Sequence, residues 1–548
     1  MNRTDNKNIL YYFVFGWLLL NMFSAYFTEL SYDEAYYWMY SRFMDWGYFD
    51  HPPMIALMNF LGYSLWAQEL GVRLFSIVFS GLSILLIARM AKPANPVLLP
   101  MLVLASFPFH LTGFISIPDV PLLFFTAVFF YSYKYFLEKK SGTSVLLLAV
   151  AMAALMYSKY HGILVIGFTI LSNLRLVLDK KFIYAGLLAL LLFVPHLYWQ
   201  HTHDWLTLRF HFFDRSSRPY RFSDTWEYVV SQPLFYGPLA GFIFAYCFGK
   251  QKPTTSFERA LYFTTIGIFG FFLLSTFKGS VEANWTLPAL IPLTYFTLRY
   301  FDTHTTHIRW LKTAMWISLP LFLAVRWILA FPGDVYFHRM GEIAGWRSHT
   351  QEVLAIADGT PVIANSYQAA SKLSFYSHRI IPSLNINGRH NQFDLWGLAY
   401  PYENKKVLFL NTHLPQNDTL LNPKSDPVFL TPIENLPVYQ GLIALPVRSY
   451  EGATNDSMCI ELELKSLSGT FPKNTNDVWL DYTFSSSTNP LHHHYGRSRF
   501  EQSQESKTKG MVCVLLPETP GNYQLRLGFY SDSLGSWGTW QSKDFVVR

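Results

Sequence analysis

Eleven apolar runs punctuate this chain, and nothing constrains its fold more. They cover residues 9–27, 69–90, 97–117, 120–137, 143–157, 161–178, 182–199, 232–249, 260–277, 285–300 and 311–331. A helix that crosses the hydrocarbon core needs about 20 apolar residues, so 143–157 and 285–300 are short and must borrow from polar neighbours. Lipid offers the backbone no hydrogen-bond partners, so runs of this kind become helices. The expected fold is a mainly α polytopic membrane bundle, with about 11–13 spans. Composition agrees, since 51% of residues are hydrophobic and only 15% are charged, which does not suit one soluble globule. No small-residue cleavage site follows the first run, so it reads as a span and not as a signal peptide.

Basic residues in the short loops set the orientation. One set of loops is rich in them, including Arg89, Lys92, Lys134, Lys139, Lys140, Lys180, Lys181, Lys250, Lys252 and Arg309. The opposite set is poorer and holds Arg42, Lys159, Arg209, Arg215, Arg218, Arg221 and Lys278. The richer set is expected in the cytoplasm. The N-terminus is then cytoplasmic, and residues 28–68, 200–230, 278–284 and everything after about 332 lie outside. The formal charge of +6 is thus a topology signal, and nucleic acid is not an expected partner.

The transmembrane domain is expected over 1–331. Beyond it long apolar runs stop and Asn, Ser, Thr and Asp become frequent. Residues 332–439 alternate helix-like and strand-like segments: 341–357, Pro361 to Ala364, 367–377 and Lys406 to Leu410. That pattern predicts an extracytoplasmic α/β domain. Residues 440–548 show only short alternating strands, such as Cys459 to Leu464 and Tyr523 to Leu527, and predict a β-sandwich. A disulfide between Cys459 and Cys513 is chemically permitted there, but spacing does not decide it. Cys247 lies in a span as a small apolar packer.

The chemistry gathers on the outer side. Tyr32-Asp33-Glu34-Ala35-Tyr36-Tyr37-Trp38 follows the first span, and Trp46-Gly47-Tyr48-Phe49-Asp50-His51-Pro52-Pro53 comes shortly after. Asp119 sits in Ile117-Pro118-Asp119-Val120-Pro121, although it could simply cap the next helix. Ser158-Lys159-Tyr160-His161-Gly162 caps another hairpin. His201, His203, Asp204, Arg209 and His211 follow the seventh run, and Lys278, Glu282, Asn284 and Trp285 precede the tenth. Ionisable groups at membrane depth are costly and mark functional sites. Five such hairpin ends on one side point to one shared cavity. A carboxylate can take a proton from an acceptor hydroxyl. Lys, Arg and His can neutralise a phosphate leaving group. Tyr36, Trp38, Tyr48 and Trp285 can stack on a sugar or on isoprene units. Neither G-x-G-x-x-G after a strand nor G-x-x-x-x-G-K-[ST] is present, so a lipid-borne donor is favoured over a nucleotide sugar.

The order Asp-Glu-Ala-Tyr-Tyr-Trp, Trp-Gly-Tyr-Phe-Asp-His-Pro-Pro, Pro-Asp-Val-Pro-Leu-Leu, Ser-Lys-Tyr-His-Gly, Asn-Trp-Thr-Leu-Pro resembles bacterial GT-C glycosyltransferases. It is closest in kind to the family 39 branch, related to protein O-mannosyltransferases and the lipid A aminoarabinose transferase. The resemblance covers roughly residues 10–400 and leaves out the terminal sandwich. It implies a helical bundle in the bacterial inner membrane, an outer-side site, a polyprenyl-phosphate sugar donor and inversion at the anomeric carbon. It makes Asp33 the general base or acceptor positioner, with Glu34 beside it and Asp119 as the second-hairpin acid. Asp50 and His51 match an acid followed by a cation, usually Lys, so His51 is a departure that could assist proton transfer or ligate a metal. Tyr36 and Tyr37 stand where the family often carries Arg. The phosphate-holding cation then falls to Lys159, Arg209 or Lys278, with His211 nearby. No cofactor is assigned with certainty, and a divalent metal stays open.

The leading expectation is an inverting membrane glycosyltransferase acting on an extracytoplasmic acceptor: a glycolipid such as lipid A or lipopolysaccharide, or another envelope glycan. A protein O-glycosyltransferase of the same fold is the alternative acceptor reading. A transporter or flippase of lipid-linked glycans is the alternative class, against which stand the missing two-half repeat and the large external tail. A glycan-binding scaffold would need no acid pair at a hydrophobic boundary.

Overall fold

A computed structural model of the chain describes residues 3–210, 220–333, 341–386, 390–411, 419–421, 428–473, 478–486, 493–503, 506 and 508–548. It divides into two compact units, Met1–Ala344 and Gly345–Arg548.

The first unit is helical. Its helices are α1 (Arg3–Phe27), α2 (Tyr32–Arg42), α3 (Met54–Leu65), α4 (Glu69–Ala91), α5 (Leu98–Ala105), α6 (Phe107–Phe114), α7 (Asp119–Glu138) and α8 (Gly142–Ser158). They are followed by α9 (Gly162–Ser172), α10 (Lys180–Thr202), α11 (Leu206–Arg209), α12 (Phe222–Tyr236), α13 (Ala240–Lys250), α14 (Ser256–Ser275), α15 (Leu290–Thr303) and α16 (Ile308–Ala330). Among the described residues, 6 helices are long and apolar enough to cross a membrane alone, and α12 with α13, bent by 98°, forms a seventh candidate. This is a multi-span membrane bundle, but several expected spans are shorter or broken helices. The run 97–117 breaks at Ser106, whose extended backbone caps α6, with Pro108 in the first turn of that helix, where a proline is tolerated. The run 285–300 opens as a 3-10 segment, Ala283–Ala289, that contains Pro288. Residues 28–68, expected as a loop, carry α2 and α3. The start of α2 is a capping box in which Ser31 and Glu34 bond each other's backbone N–H.

The bundle packs as its residue sizes allow. On α8, Ala149, Ala151, Ala153 and Ala154 are buried, and small residues let backbones approach closely in lipid. Leu187, Leu190, Leu191 and Val194 of α10 stay exposed, as does Trp316 of α16, as expected of lipid-facing surfaces. Arg326 is one of the cations buried among the helices. Arg326 of α16 donates to Ser24 Oγ at 2.8 Å, to Asn21 Oδ1 at 2.9 Å and to the His110 carbonyl at 2.9 Å. Its guanidinium lies 4.6 Å from the Phe114 ring centre. These acceptors belong to α1 and α6, and all are neutral.

The second unit begins with α17 (Trp346–Ala357), β1 (Val362–Ala364), α18 (Tyr367–Ser377), α19 (Gln392–Trp396) and β2 (Val407–Asn411), close to the helix-like and strand-like segments read from the sequence. With β3 (Thr419–Leu421) and β4 (Val428–Ile433) they build a four-stranded sheet in the order β1-β2-β4-β3, where β1 and β2 run parallel. Then come β5 (Leu442–Pro446), β6 (Tyr450–Gly452), β7 (Ser457–Ser466), β8 (Trp479–Ser486), β9 (His493–Gln502), β10 (Lys509–Leu515), β11 (Gly521–Ser531) and β12 (Gly535–Val547). They join in one sheet, ordered β5-β7-β10-β9-β8-β11-β12-β6. It curls so that β5 also approaches β12. Strict alternation drives this. On β7, Ile460, Leu462 and Leu464 point inward while Cys459 and Glu461 point out. Each buried apolar side chain contributes about 1.5–3 kcal/mol. The α/β part and the β part share one core, which includes Ile363, Phe409, Leu462 and Phe529, so no boundary in packing falls at 440. Cys459 and Cys513 sit directly opposite each other on β7 and β10 and are joined by a disulfide.

Candidate active site

The site grows from four segments of the first unit: α2 with the turn after it, the α6–α7 hairpin, the α8–α9 turn and the stretch before α15. Glu34 ties two of them together. Arg73 of α4 grips its carboxylate with two bonds of 2.7 Å, Nε to Oε1 and Nη2 to Oε2. The Ser116 N–H donates to Oε1 at 2.9 Å and the Ser31 N–H to Oε2 at 2.9 Å. Arg73 also donates to the carbonyls of Ala25, Thr28 and Glu29 at the end of α1. Burial alone would push the Glu34 carboxyl up, but the Arg73 guanidinium and these bonds hold it below the ordinary range. Glu34 therefore does not fit the expected catalytic role, because both of its oxygens are committed to holding the architecture. Asp33, beside it in the first turn of α2, is exposed.

The second tie is Asp119. Lys159 Nζ lies 2.9 Å from both of its oxygens, and Asn284 Nδ2 donates to Oδ2 at 3.2 Å. Asp119 and Lys159 are buried. Three hairpin ends that are far apart in sequence meet here. Asp119 is the first residue of α7 and makes no side-chain cap, so its carboxylate is spent on the lysine. The position suits it, since a helix N-terminus favours negative charge. Trp285, half-buried, lies 5.4 Å from His161 and 5.5 Å from Phe272.

The third element is Asp50, also buried. The Tyr40 hydroxyl donates to its Oδ1, and Tyr160 feels its charge. Burial first, then the Asp50 charge, push the Tyr40 phenol well above its ordinary value, so Tyr40 remains a donor. The loop that presents Asp50 is held by a directional chain. The His196 Nδ1–H reaches the Trp46 carbonyl at 2.7 Å, which leaves Nε2 of the neutral ring to accept from Tyr160 at 3.0 Å. Gln200 donates to Tyr160 and to Thr207, each at 2.8 Å, and Thr207 donates to the Tyr48 carbonyl at 3.0 Å. Gly47 has its place for a steric reason: a Cβ there would sit 2.4 Å from the Trp199 ring. His51 is partly buried, with its ring 5.4 Å from Tyr37.

Other expectations change. Tyr36, Trp38 and Tyr48 are buried and offer no open stacking face. Tyr48 stacks on Tyr40 at 4.0 Å, Tyr36 packs edge-on against Tyr40 at 4.9 Å and Trp38 packs against Tyr63. They form the small core of this loop, packed against Tyr40 and Tyr63. Arg209, in α11, and Lys278, after α14, are exposed, and no bond among the described residues joins either to the Asp119–Lys159 pair. His211 lies outside the described residues. Among those residues no group of three or more His, Cys, Asp or Glu side chains is arranged to hold a metal ion.

Comparisons with known proteins bear on the fold and the family resemblance. Residues 50–199 match the family model described as dolichyl-phosphate-mannose-protein mannosyltransferase. That stretch includes Asp50, His51, Asp119 and Lys159, and begins after Asp33 and Glu34. The lipid A galacturonosyltransferase RgtD of Rhizobium johnstonii is 26% identical over 203 residues, 33% of this chain and 41% of that protein. The match thus spans well under two thirds of the relative. Two crystal structures of ArnT from Cupriavidus metallidurans, one bound to undecaprenyl phosphate and one in the apo state, align with a TM-score of 0.58. They cover 77% of this chain and 98% of theirs, at 14% identity. At that identity the likeness shows the fold, a GT-C bundle with an appended unit. Together these findings bear out the resemblance to family 39 GT-C glycosyltransferases read from the motifs.

Proposed function

We propose that this protein is an inverting membrane glycosyltransferase that moves a sugar from a polyprenyl-phosphate donor to an extracytoplasmic glycolipid of the lipid A or lipopolysaccharide kind. The observation that carries the reading is the buried Asp119–Lys159 pair, which with the half-buried Asn284 unites three hairpin ends. A buried ion pair is a costly element for stability alone and suits a site that must hold phosphate. Lys159 supplies positive charge for the leaving phosphate, and Asp119, which accepts from Asn284, holds the lysine in place. The acceptor hydroxyl attacks the anomeric carbon as the bond from that carbon to the phosphate oxygen breaks. Polyprenyl phosphate departs, the configuration inverts, and the hydroxyl proton passes to a carboxylate. Asp33 is the proposed base, because it is exposed at the start of α2 while Glu34 and Asp119 are buried. The loop basic residues support a cytoplasmic N-terminus, an outer-side site and residence in the bacterial inner membrane. RgtD, a lipid A galacturonosyltransferase, and ArnT, seen bound to undecaprenyl phosphate, support the acceptor and donor classes.

The test is transfer by the purified protein in detergent. Polyprenyl-phosphate sugars are expected to support transfer to a lipid A acceptor, and soluble nucleotide sugars are expected to support none. Robust turnover of a nucleotide sugar without lipid would overturn the donor assignment. Transfer to peptide hydroxyls in place of lipid A would overturn the acceptor assignment.

A further inference from the structure

The outward face of the second unit's large sheet is unusual where β8, β9 and β11 run side by side. The register places Trp479 beside Arg499 and Tyr530, Asp481 beside Arg497 and Gly528, and Thr483 beside Tyr495 and Arg526. These positions all point away from the core, because Leu480, Tyr482 and Phe484 alternate with them and are buried. Tyr495 is 69% exposed and Trp479 41%. Arg497, Arg499 and Arg526 are exposed as well. Within these rows three arginines face one carboxylate, Asp481, which already binds Arg497 at 2.6 Å and accepts from Ser536. Glu501 lies beyond the end of β8, opposite Met511. Within these three rows positive charge exceeds negative, with Glu501 and Asp544, which pairs across from Gln524, at their margins, and aromatic rings stud the face.

We infer that this face is a binding site for an anionic oligosaccharide, the headgroup of a glycolipid. Arginine presents a planar fork that fits phosphate or carboxylate. Exposed Tyr and Trp rings present flat apolar faces with little conformational entropy to lose, as a sugar ring requires. β8, β9 and β11 are interior strands, paired on both sides, so a peptide cannot add here as a further strand. Recognition must come from side chains, which favours a saccharide over an extended peptide. The choice of a glycolipid headgroup rests on the acceptor reading proposed above. The site itself is separate from the residues of the transfer chemistry.

The experiment is direct binding to the full chain in detergent. The probe is the phosphorylated oligosaccharide obtained by deacylating a lipopolysaccharide, compared with its dephosphorylated product. The phosphorylated probe is expected to bind, more weakly as salt rises, and the dephosphorylated one about tenfold or more weakly. R499Q/R526Q is expected to lose about tenfold in affinity for the phosphorylated probe. Y495S, which keeps the charge, is expected to weaken both probes by a similar factor. All substituted positions are exposed, and an unchanged melting temperature reports that folding is retained. Equal binding of the two probes, no binding by the wild type, or wild-type affinity in R499Q/R526Q would each overturn the inference. None of these readouts requires turnover, so a failure here is distinct from a failure of the transferase reading.

Discussion

Two adjacent carboxylates at the start of α2 have different fates, and the difference is one of burial. Asp33 is exposed, while Glu34 is enclosed with a guanidinium and two backbone N–H groups. Asp33→Asn keeps size and polarity but cannot take a proton. It is expected to reduce transfer by roughly 10²–10⁴-fold, with donor binding and melting temperature retained. Near-normal turnover would move the base to Asp50. Glu34→Gln is expected to act on stability, costing about 3–5 kcal/mol because Arg73 is left buried and uncompensated. The pH dependence follows from the sign of the shift. The Glu34 carboxyl is depressed in the folded state relative to 4.5. Its contribution is therefore complete above that value and is lost as pH falls through the lower folded-state value. Thermal melts between pH 6 and 3, ranges chosen to bracket an ordinary carboxylate, should show a smaller acid loss for Glu34→Gln than for wild type. A variant that melts like wild type throughout would refute the tie. Asp33, Asp50, Asp119 and Lys159 were all legible in the sequence as polar groups at hairpin ends. Arg73 was not, because it lies inside the apolar run 69–90. A lone arginine in a span is costly, and that cost was the available signal that it must have a partner.

At the scale of elements, short motifs become geometry through their small and capping residues. The Ser31-x-x-Glu34 spacing marks the start of α2 inside what read as a loop, and the capping box was there to be seen. Gly47 is where the Asp50 loop meets the side of α10, with Trp199 bonded to Asp45 at 2.8 Å and stacked on His203 at 4.1 Å. Gly47→Ala forces the Trp199 ring aside and is expected to cost about 1–3 kcal/mol, with transfer falling as the loop shifts. Gly47→Ala combined with Trp199→Leu should recover part of the melting temperature. If the second change adds its full separate loss, the contact is not the cause. The stacking expected of Tyr36, Trp38 and Tyr48 was misread for a physical reason: the sequence shows ring content but not which rings face one another. Tyr36, Tyr40 and Tyr48 satisfy each other. The broken spans near Ser106 and Pro288 were equally hard to read, since proline in an apolar run marks either a kink or a break.

For the molecule as a whole, the strand and helix pattern of the second unit was legible from its period, and its shared core was not. Alternation reports which face of a strand is buried but not which element covers it, so Ile363 and Phe529 in one core lay beyond reach. The orientation prediction belongs at this scale. Basic loops predict that the second unit lies outside, and a reporter active only outside the cytoplasm, fused after Arg548, should be active. Activity of a cytoplasm-only reporter at that position would place every proposed site residue on the wrong side. A related consequence follows from Arg326, whose partners are Ser24, Asn21 and the His110 carbonyl. Arg326 lies four residues before the end of α16, where an arginine costs less than the about 2.5–3.5 kcal/mol of a helix centre, and those oxygens reside on helices made some 200 to 300 residues earlier. During biosynthesis α16 therefore gains from arriving last, because α1 and α6 are already in place to receive its charge.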